Sequence, residues 1–126
     1  MIQDNNTGFN DIFRERTKNL ALAVIKLFEI LKKSEGSRII GKQVLRSATS
    51  VAANFRAACR ARSAAEYYSK LCVVIEECDE TLFWLELIMD SGLLKKEILA
   101  EMIREANELT AIFTATGRTA KQNHSK

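Results

Sequence analysis

Residues 45–63, "LRSATSVAANFRAACRARS", hold most of the chemistry that this sequence offers. At about 100° per residue, the cations of this region occupy an arc of about 80° on one side of a helix, with Thr49 and Ala53 between them. Such a row of cations can bind the phosphates of RNA or DNA. The predicted contacts are Lys42, Arg46, Arg56 and Arg60, which lie on this arc, and Arg62, which follows the end of the helix.

A second interpretation of this basic face stays open. The face can be solvated, with Arg60 and Arg62 complementing the negative C-terminus of their helix or pairing with acids of a neighbouring chain. No aromatic residue lies between the arginines, so base stacking is not indicated. The pattern therefore predicts contact with a nucleic-acid backbone and no readout of bases.

A polar stripe lies beside the basic face and predicts a hydrogen-bonded network between two helices. Small polar side chains of the second helix are expected to meet two glutamates of the third, and such a network fixes the register of the helices. Its predicted members are Arg46, Ser47, Ser50, Asn54, Glu77 and Glu80.

Few residues suit catalysis or metal binding. The one histidine, His124, lies near the C-terminus, which removes Ser-His and Cys-His arrangements from the core elements. The "EECDE" run has no histidine partner, and no glycine-rich phosphate loop is present. We expect no catalytic residue, metal or cofactor, although acid–base chemistry by Glu76, Glu77 or Glu80 stays open.

Four helices position these residues. The chain has no proline and only five glycines in 126 residues, which favours long helices over a β-sandwich or barrel. Apolar residues recur at helical spacing, and "SAAE" at Ser63 predicts a capping box. Gly36 and Gly92 are predicted to end the first and third helices. The predicted helices are about Asn10–Lys33, Arg38–Ala61, Ala64–Asp90 and Leu94–Thr116.

These elements predict an all-α, antiparallel up-and-down four-helix bundle. We expect one domain over residues 1–117 and a flexible basic tail over 118–126. The second helix should bury Val44, Ala48, Val51, Phe55 and Ala58, and the fourth Ile98, Met102, Ala106, Leu109 and Phe113.

The third helix carries more apolar residues than one bundle needs, and several lie behind its core stripe. Aromatic residues grouped on an outer face are typical of an interface, so we expect a homo-oligomer; burial of Trp84 within the bundle is the alternative. The predicted interface residues are Val73, Phe83, Trp84 and Leu87.

Charge, cysteine spacing and hydropathy indicate the cellular compartment and the kinds of partner to expect. The formal net charge of +3 is only mildly basic, so the distribution of charge matters more than its sum. Cys59, Cys72 and Cys78 form no C-x-x-C pair, and no signal peptide or membrane-length apolar run is present. We expect a cytoplasmic protein with no membrane partner.

The second and third helices resemble a known family, the 23S rRNA-intervening sequence proteins, which are encoded within intervening sequences of bacterial large-subunit rRNA genes. Ala57 departs from the family pattern, which often has Glu there. The motifs that carry the resemblance are Arg46-Ser47, Ser50-Val51, Asn54-Phe55-Arg56, Ala61 to Ser63, Lys70-Leu71 and the run Glu77, Glu80, Thr81, Trp84, Leu85.

The resemblance implies a four-helix bundle that assembles into a ring-like homo-oligomer, a pentamer. The chain is also similar to the accessory protein of diversity-generating retroelements, a basic barrel of such bundles that binds nucleic acid and a reverse transcriptase. The resemblance implies no enzymatic activity. We therefore expect a non-enzymatic, nucleic-acid-associated module, with RNA favoured; the alternative is a protein-binding scaffold or assembly module with no nucleic-acid role.

Overall fold

Four helices run antiparallel in the computed structural model, which describes residues 7–31 and 33–125. They are α1 (Thr7–Leu31), α2 (Glu35–Cys59), α3 (Ala64–Asp90) and α4 (Lys96–Ser125). Each helix packs along the next in the chain, and α1 closes the bundle against α4 more sparsely. The predicted all-α four-helix bundle is thus confirmed.

Aromatic rings fill the centre of the bundle where α1, α2 and α4 meet. The ring centroids of Phe55 and Phe113 lie 5.0 Å apart, and those of Phe13 and Phe113 lie 5.7 Å apart. The predicted core face of α2 is buried in full: Val44, Ala48, Val51, Phe55 and Ala58. Burying large apolar side chains such as Phe55 contributes about 2 kcal/mol each, which holds the amphipathic helices together.

Helix caps set most of the boundaries. Ser63 accepts a hydrogen bond from the Glu66 amide at 3.1 Å, so α3 begins where the capping box predicts. The Glu66 carboxylate in turn accepts from the Arg62 amide. Gly92 follows α3 with a φ of +74°, the left-handed conformation that glycine adopts without steric cost.

Three predicted details are wrong. Gly36 does not cap α1: it lies in the first turn of α2, which begins earlier than predicted because Ser34 accepts from the Ser37 amide. Ile98 is exposed, and Leu99 takes the core position instead. The predicted end of the fourth helix at Thr116 is also wrong.

Helix α4 continues to Ser125 because its last turns have something to pack against. Gly117 is buried against α3, where an added Cβ would lie 2.9 Å from Ile75 Cδ1. One turn further, Ala120 is buried on the same face. Residues 118–125, which the sequence places in a basic tail, are therefore part of the helix.

Candidate nucleic-acid interface

Helix α2 directs its basic face away from the core. Because Val51, Phe55 and Ala58 are buried against the other helices, residues half a turn away must point outward. Arg56 and Arg60 are exposed there, one turn apart. Within the described part of the chain, neither side chain forms an ion pair with a carboxylate.

A groove of about 970 Å³ separates this face from α1. Arg56 and Arg60 line one wall of it, and Arg14 and Lys18 line the opposite wall. Two acids of α1 are also present, and one of them, Asp11, forms an ion pair with Arg14. The other residues that line it are Asn19, Ala21, Leu22, Thr49, Ala52 and Ala53.

A second cavity, of about 420 Å³, lies on the other side of the same arginines, toward α3. Arg56 and Arg60 line it together with Arg62 and Lys70. Arg62 lies 3.5 Å from the Glu66 carboxylate, but its side chain is 88% exposed, so water competes strongly for it. The two cavities share Arg56 and Arg60, which lie between them, and the surface that lines both cavities is called here the basic groove.

The lining of the basic groove carries more cations than carboxylates. Its lining has six cations (Arg14, Lys18, Arg56, Arg60, Arg62, Lys70) and three carboxylates (Asp11, Glu15, Glu66), a formal excess of three. The whole chain has 19 cations and 16 carboxylates, so the remaining thirteen of each sign cancel. The formal excess of this lining equals that of the whole chain, and a positive excess on a surface attracts anions to it.

Arg46 has a different environment from Arg56 and Arg60. Its guanidinium donates to both Glu77 oxygens, at 3.1 and 3.3 Å, and to Glu80. These hydrogen bonds raise the pKa of Arg46, and the bond from Arg46 is the main reason that the pKa of Glu80 lies below its ordinary value. Arg46 therefore joins α2 to α3.

The predicted polar contacts between α2 and α3 continue below this ion pair. Ser50 donates to Glu77 at 3.0 Å, and the Asn54 amide donates to Ser50 at 2.9 Å. Deeper in the interface, Ser47 pairs with Thr81 at 2.9 Å, and both are buried. Thr81 is a further member of this network that the sequence analysis did not include. The signal that could have identified it is its position on the core-facing side of α3.

The structure brings only three of the five predicted phosphate contacts together. Arg56, Arg60 and Arg62 lie in the basic groove, whereas Lys42 is about 21 Å from Arg56 along α2, at 1.5 Å per residue. Sequence reasoning missed Arg14 and Lys18, which are spaced i, i+4 on α1. It also missed Lys70, which lies on α3 one turn after Glu66.

The outer face of α3 is partly apolar. Phe83 is 52% exposed and contacts Trp84 edge-to-face, with ring centroids 5.0 Å apart. Trp84 is half-buried and donates from Nε1 to Glu80 at 3.3 Å, so it packs against the core on one side and faces outward on the other. Val73 and Leu87 are also half-buried. The antiparallel register places Ile39 of α2, 58% exposed, beside Leu87.

Metal-binding and thiol chemistry find little support in residues 7–31 and 33–125. Within these ranges no group of three or more His, Cys, Asp or Glu could hold a metal ion. The three cysteines are free thiols, and burial raises the pKa of Cys78 to about 12. The side chain of His124 lies outside the described residues. None of the described helices has both the length and the apolar character needed to span a membrane.

The fold and the site define a small all-α bundle of four antiparallel helices that carries a basic surface. Residues 11–115, which include most of every helix, match the model of the 23S rRNA-intervening sequence protein family. The chain belongs to this family, as the motifs of α2 and α3 predict.

Solved structures contain a similar protein. A protein of unknown function from the S23 ribosomal protein family of Bacteroides thetaiotaomicron VPI-5482 is 27% identical, with a TM-score of 0.76. The alignment covers 82% of this chain and 95% of that one. No curated protein matches the sequence. The likeness to the retroelement accessory protein stays a prediction.

Proposed function

We propose that this protein is a non-enzymatic, cytoplasmic module that binds the phosphate backbone of a nucleic acid, with RNA favoured, at the basic face of α2. One observation carries the proposal: Arg56 and Arg60 are exposed, lie in the centre of the basic groove and have no carboxylate partner among the described residues. Two unpaired guanidinium groups one turn apart suit neighbouring phosphates.

The surroundings of the two arginines support backbone contact. The lining of the basic groove contains no aromatic side chain on which a base could stack. Arg62 and Lys18 add further cations at the two sides. Binding of this kind is independent of sequence and weakens steeply with salt, because phosphates exchange their counterions for the protein's cations.

The other two predicted contacts have lesser roles in this proposal. Lys42 is exposed on the same helix face and supplies an outlying contact for a longer strand. Arg46 serves the bundle, since both Glu77 and Glu80 hold its guanidinium. RNA is favoured over DNA because the family to which the chain belongs is described by its link to 23S rRNA.

The apolar outer face of α3 favours a second candidate function, a protein-binding scaffold or assembly module. Phe83 and Ile39 each expose more than half of their surface there, and exposed aromatic groups of this kind are typical of protein interfaces. Self-association through this face, up to the pentamer that the family resemblance implies, is compatible with either function.

The test is binding of fluorescently labelled RNA, measured by anisotropy at two salt concentrations. The RNA contains both a stem and single-stranded ends, so that it presents both duplex and single-stranded backbone. Wild type is compared with Arg56→Glu/Arg60→Glu and with the control Lys95→Glu/Lys96→Glu, which changes the charge equally at the opposite end of the bundle. We expect salt-sensitive binding that only the first variant loses.

Absence of binding by folded wild-type protein at low salt would refute the proposal and favour the scaffold. Equal loss in both variants would mean that net charge alone drives the association. Circular dichroism and size-exclusion chromatography confirm that each variant is folded and assembled like the wild type.

A further inference from the structure

We infer that a cavity at one end of the bundle binds a small uncharged ring compound with an amide-type edge, a carbonyl beside an N–H group. The observation that carries this inference is the buried side chain of Tyr67, whose hydroxyl opens into the cavity without a partner among the described residues. The inference does not depend on the proposed function, because this cavity and the basic groove share no lining residue.

The cavity lies where α1 and α3 begin and α4 ends, and it is called here the end cavity. Its volume is about 260 Å³. A water molecule takes up about 30 Å³ in the liquid, so the end cavity has the volume of about nine waters. That volume suits one ring with a short substituent and is too small for a drug-sized ligand.

The apolar part of the lining suits a ring. Phe9 of α1 lines the end cavity, and its own ring packs against Phe13, with centroids 4.5 Å apart, and against Phe55, at 6.2 Å. These contacts to the core hold Phe9 in place. The neighbouring residues Ala64 and Ala120 are small and leave the space open. A planar ring could therefore pack on Phe9 in the tilted or offset geometry that aromatic pairs prefer.

Tyr67 supplies a hydrogen-bond donor that the protein itself does not use. Its side chain is only 8% exposed, and no described residue accepts from or donates to its hydroxyl. Among the described residues, only the amide oxygen of Asn10 is both unpartnered and sealed from solvent, so the Tyr67 hydroxyl opens to the cavity that it lines. Buried tyrosine hydroxyls usually have a partner, and a ligand carbonyl would supply one here.

Helix α4 supplies the complementary acceptors. The Thr116 hydroxyl donates to the Ile112 carbonyl at 2.7–2.8 Å geometry typical of a good hydrogen bond, and its oxygen keeps the capacity to accept. Asn123, exposed at the same cavity, offers an amide that both donates and accepts. An N–H beside a ligand carbonyl can therefore donate to α4 while the carbonyl accepts from Tyr67.

The ligand should be uncharged. None of the described residues that line the end cavity is an acid, a lysine, an arginine or a histidine. Burial raises the pKa of Tyr67, so its hydroxyl stays protonated at neutral pH and remains a donor. A charged ligand would lose its hydration here without gaining an ionic partner.

The first experiment titrates the ¹⁵N-labelled protein with benzamide and follows the backbone amide signals. Benzamide has the ring, the carbonyl and the N–H group in one small uncharged molecule, and benzoate is its charged isostere. We expect saturable shifts around Tyr67 and Thr116 with a millimolar Kd, and binding of benzoate at least about tenfold weaker. No saturable shift with benzamide, or equal binding of benzoate, would overturn the inference.

Two pairs of variants test the geometry. Tyr67→Phe removes only the unpartnered hydroxyl and should weaken benzamide binding about fivefold, the contribution of one hydrogen bond, whereas Tyr68→Phe, outside the lining, should not. Ala64→Leu fills part of the end cavity from an exposed position and should abolish binding, whereas Ala65→Leu, equally exposed but outside the lining, should leave it unchanged. Binding that survives Ala64→Leu, or an unchanged affinity of Tyr67→Phe, would overturn the assigned site.

Uridine distinguishes the two sources of such an edge, a free ring amide and the base of a nucleoside. Uridine that shifts the same signals and competes with benzamide would assign the end cavity to nucleoside bases. Benzamide binding without uridine binding would assign it to free ring amides. Either result supports the inference, and neither bears on RNA binding at the basic groove.

Discussion

Arginines that look alike in the sequence have different roles in the bundle, and carboxylates on neighbouring helices decide which. Arg46 lies opposite Glu77 and Glu80 on α3 and joins the two helices. Arg56 and Arg60, on the same face of α2, meet no carboxylate among the described residues. Arg46 is therefore predicted to contribute to the stability of the fold, and Arg56 and Arg60 to the binding of nucleic acid.

Replacing Arg46 by Gln should therefore lower the free energy of unfolding by about 1 kcal/mol, measured by urea denaturation at neutral pH. The figure is modest because half of the Arg46 side chain is exposed, while Glu77, only 16% exposed, loses its charged partner. Arg104→Gln is the matched control: Arg104 also pairs with two glutamates, but on the surface of its own helix, so little change is expected. An equally large loss in the control would contradict this prediction.

The same cluster predicts a pH dependence. The hydrogen bond from Arg46 holds the pKa of Glu80 below its ordinary value of 4.5 in the folded protein. The charged form thus stabilises the fold above that ordinary value, and the contribution is lost as the pH falls through the lower, folded pKa. Wild type should lose more unfolding free energy than Glu80→Gln when acidified below pH 4.5. Parallel pH profiles of the two proteins would disprove the linkage.

At the scale of the helices, caps and close packing determine where each element begins and ends. Both α2 and α3 begin at a serine, Ser34 or Ser63, whose hydroxyl oxygen accepts a hydrogen bond from a backbone amide. The end of α4 has a tertiary cause, since Gly117 and Ala120 are buried.

Removing one cap tests this account. Ser63→Ala should destabilise the protein by about 1 kcal/mol, because the Glu66 amide loses its acceptor. Ser69→Ala, an exposed position inside α3, is the control and should be neutral or slightly stabilising, since alanine is the better helix former. Urea denaturation measures both, and a neutral Ser63→Ala would show that water satisfies the amide equally well.

At the scale of the whole molecule, two surfaces of different character lie on α2 and α3. The basic groove lies toward the C-terminal end of α2, and the apolar face around Phe83 lies toward the C-terminal end of α3. Because these helices are antiparallel, the two surfaces occupy opposite ends of the bundle. An assembly through Phe83 would therefore leave the groove of each copy clear of that contact.

Phe83→Arg should shift the protein to a smaller species in light scattering coupled to size exclusion, since a charge buried in an apolar interface is costly. Ile12→Arg places the same charge at a residue of α1 that is 56% exposed, and should leave the assembly unchanged. A wild type that is monomeric at micromolar concentration would refute the predicted homo-oligomer.

The sequence by itself determined the four helices, their order and the buried face of α2, because helical periodicity and capping are local properties that a chain carries in its own spacing. The tertiary structure decided which residues of different helices meet, and no local sequence pattern contains that information. It brought Arg46 into contact with Glu77 and Glu80, and it placed Lys18 and Lys70 on either side of Arg56 and Arg60. It also extended α4 along Ile75. Each of these outcomes depends on residues from different helices, whose proximity is set by how the bundle packs and cannot be read from spacing along one helix.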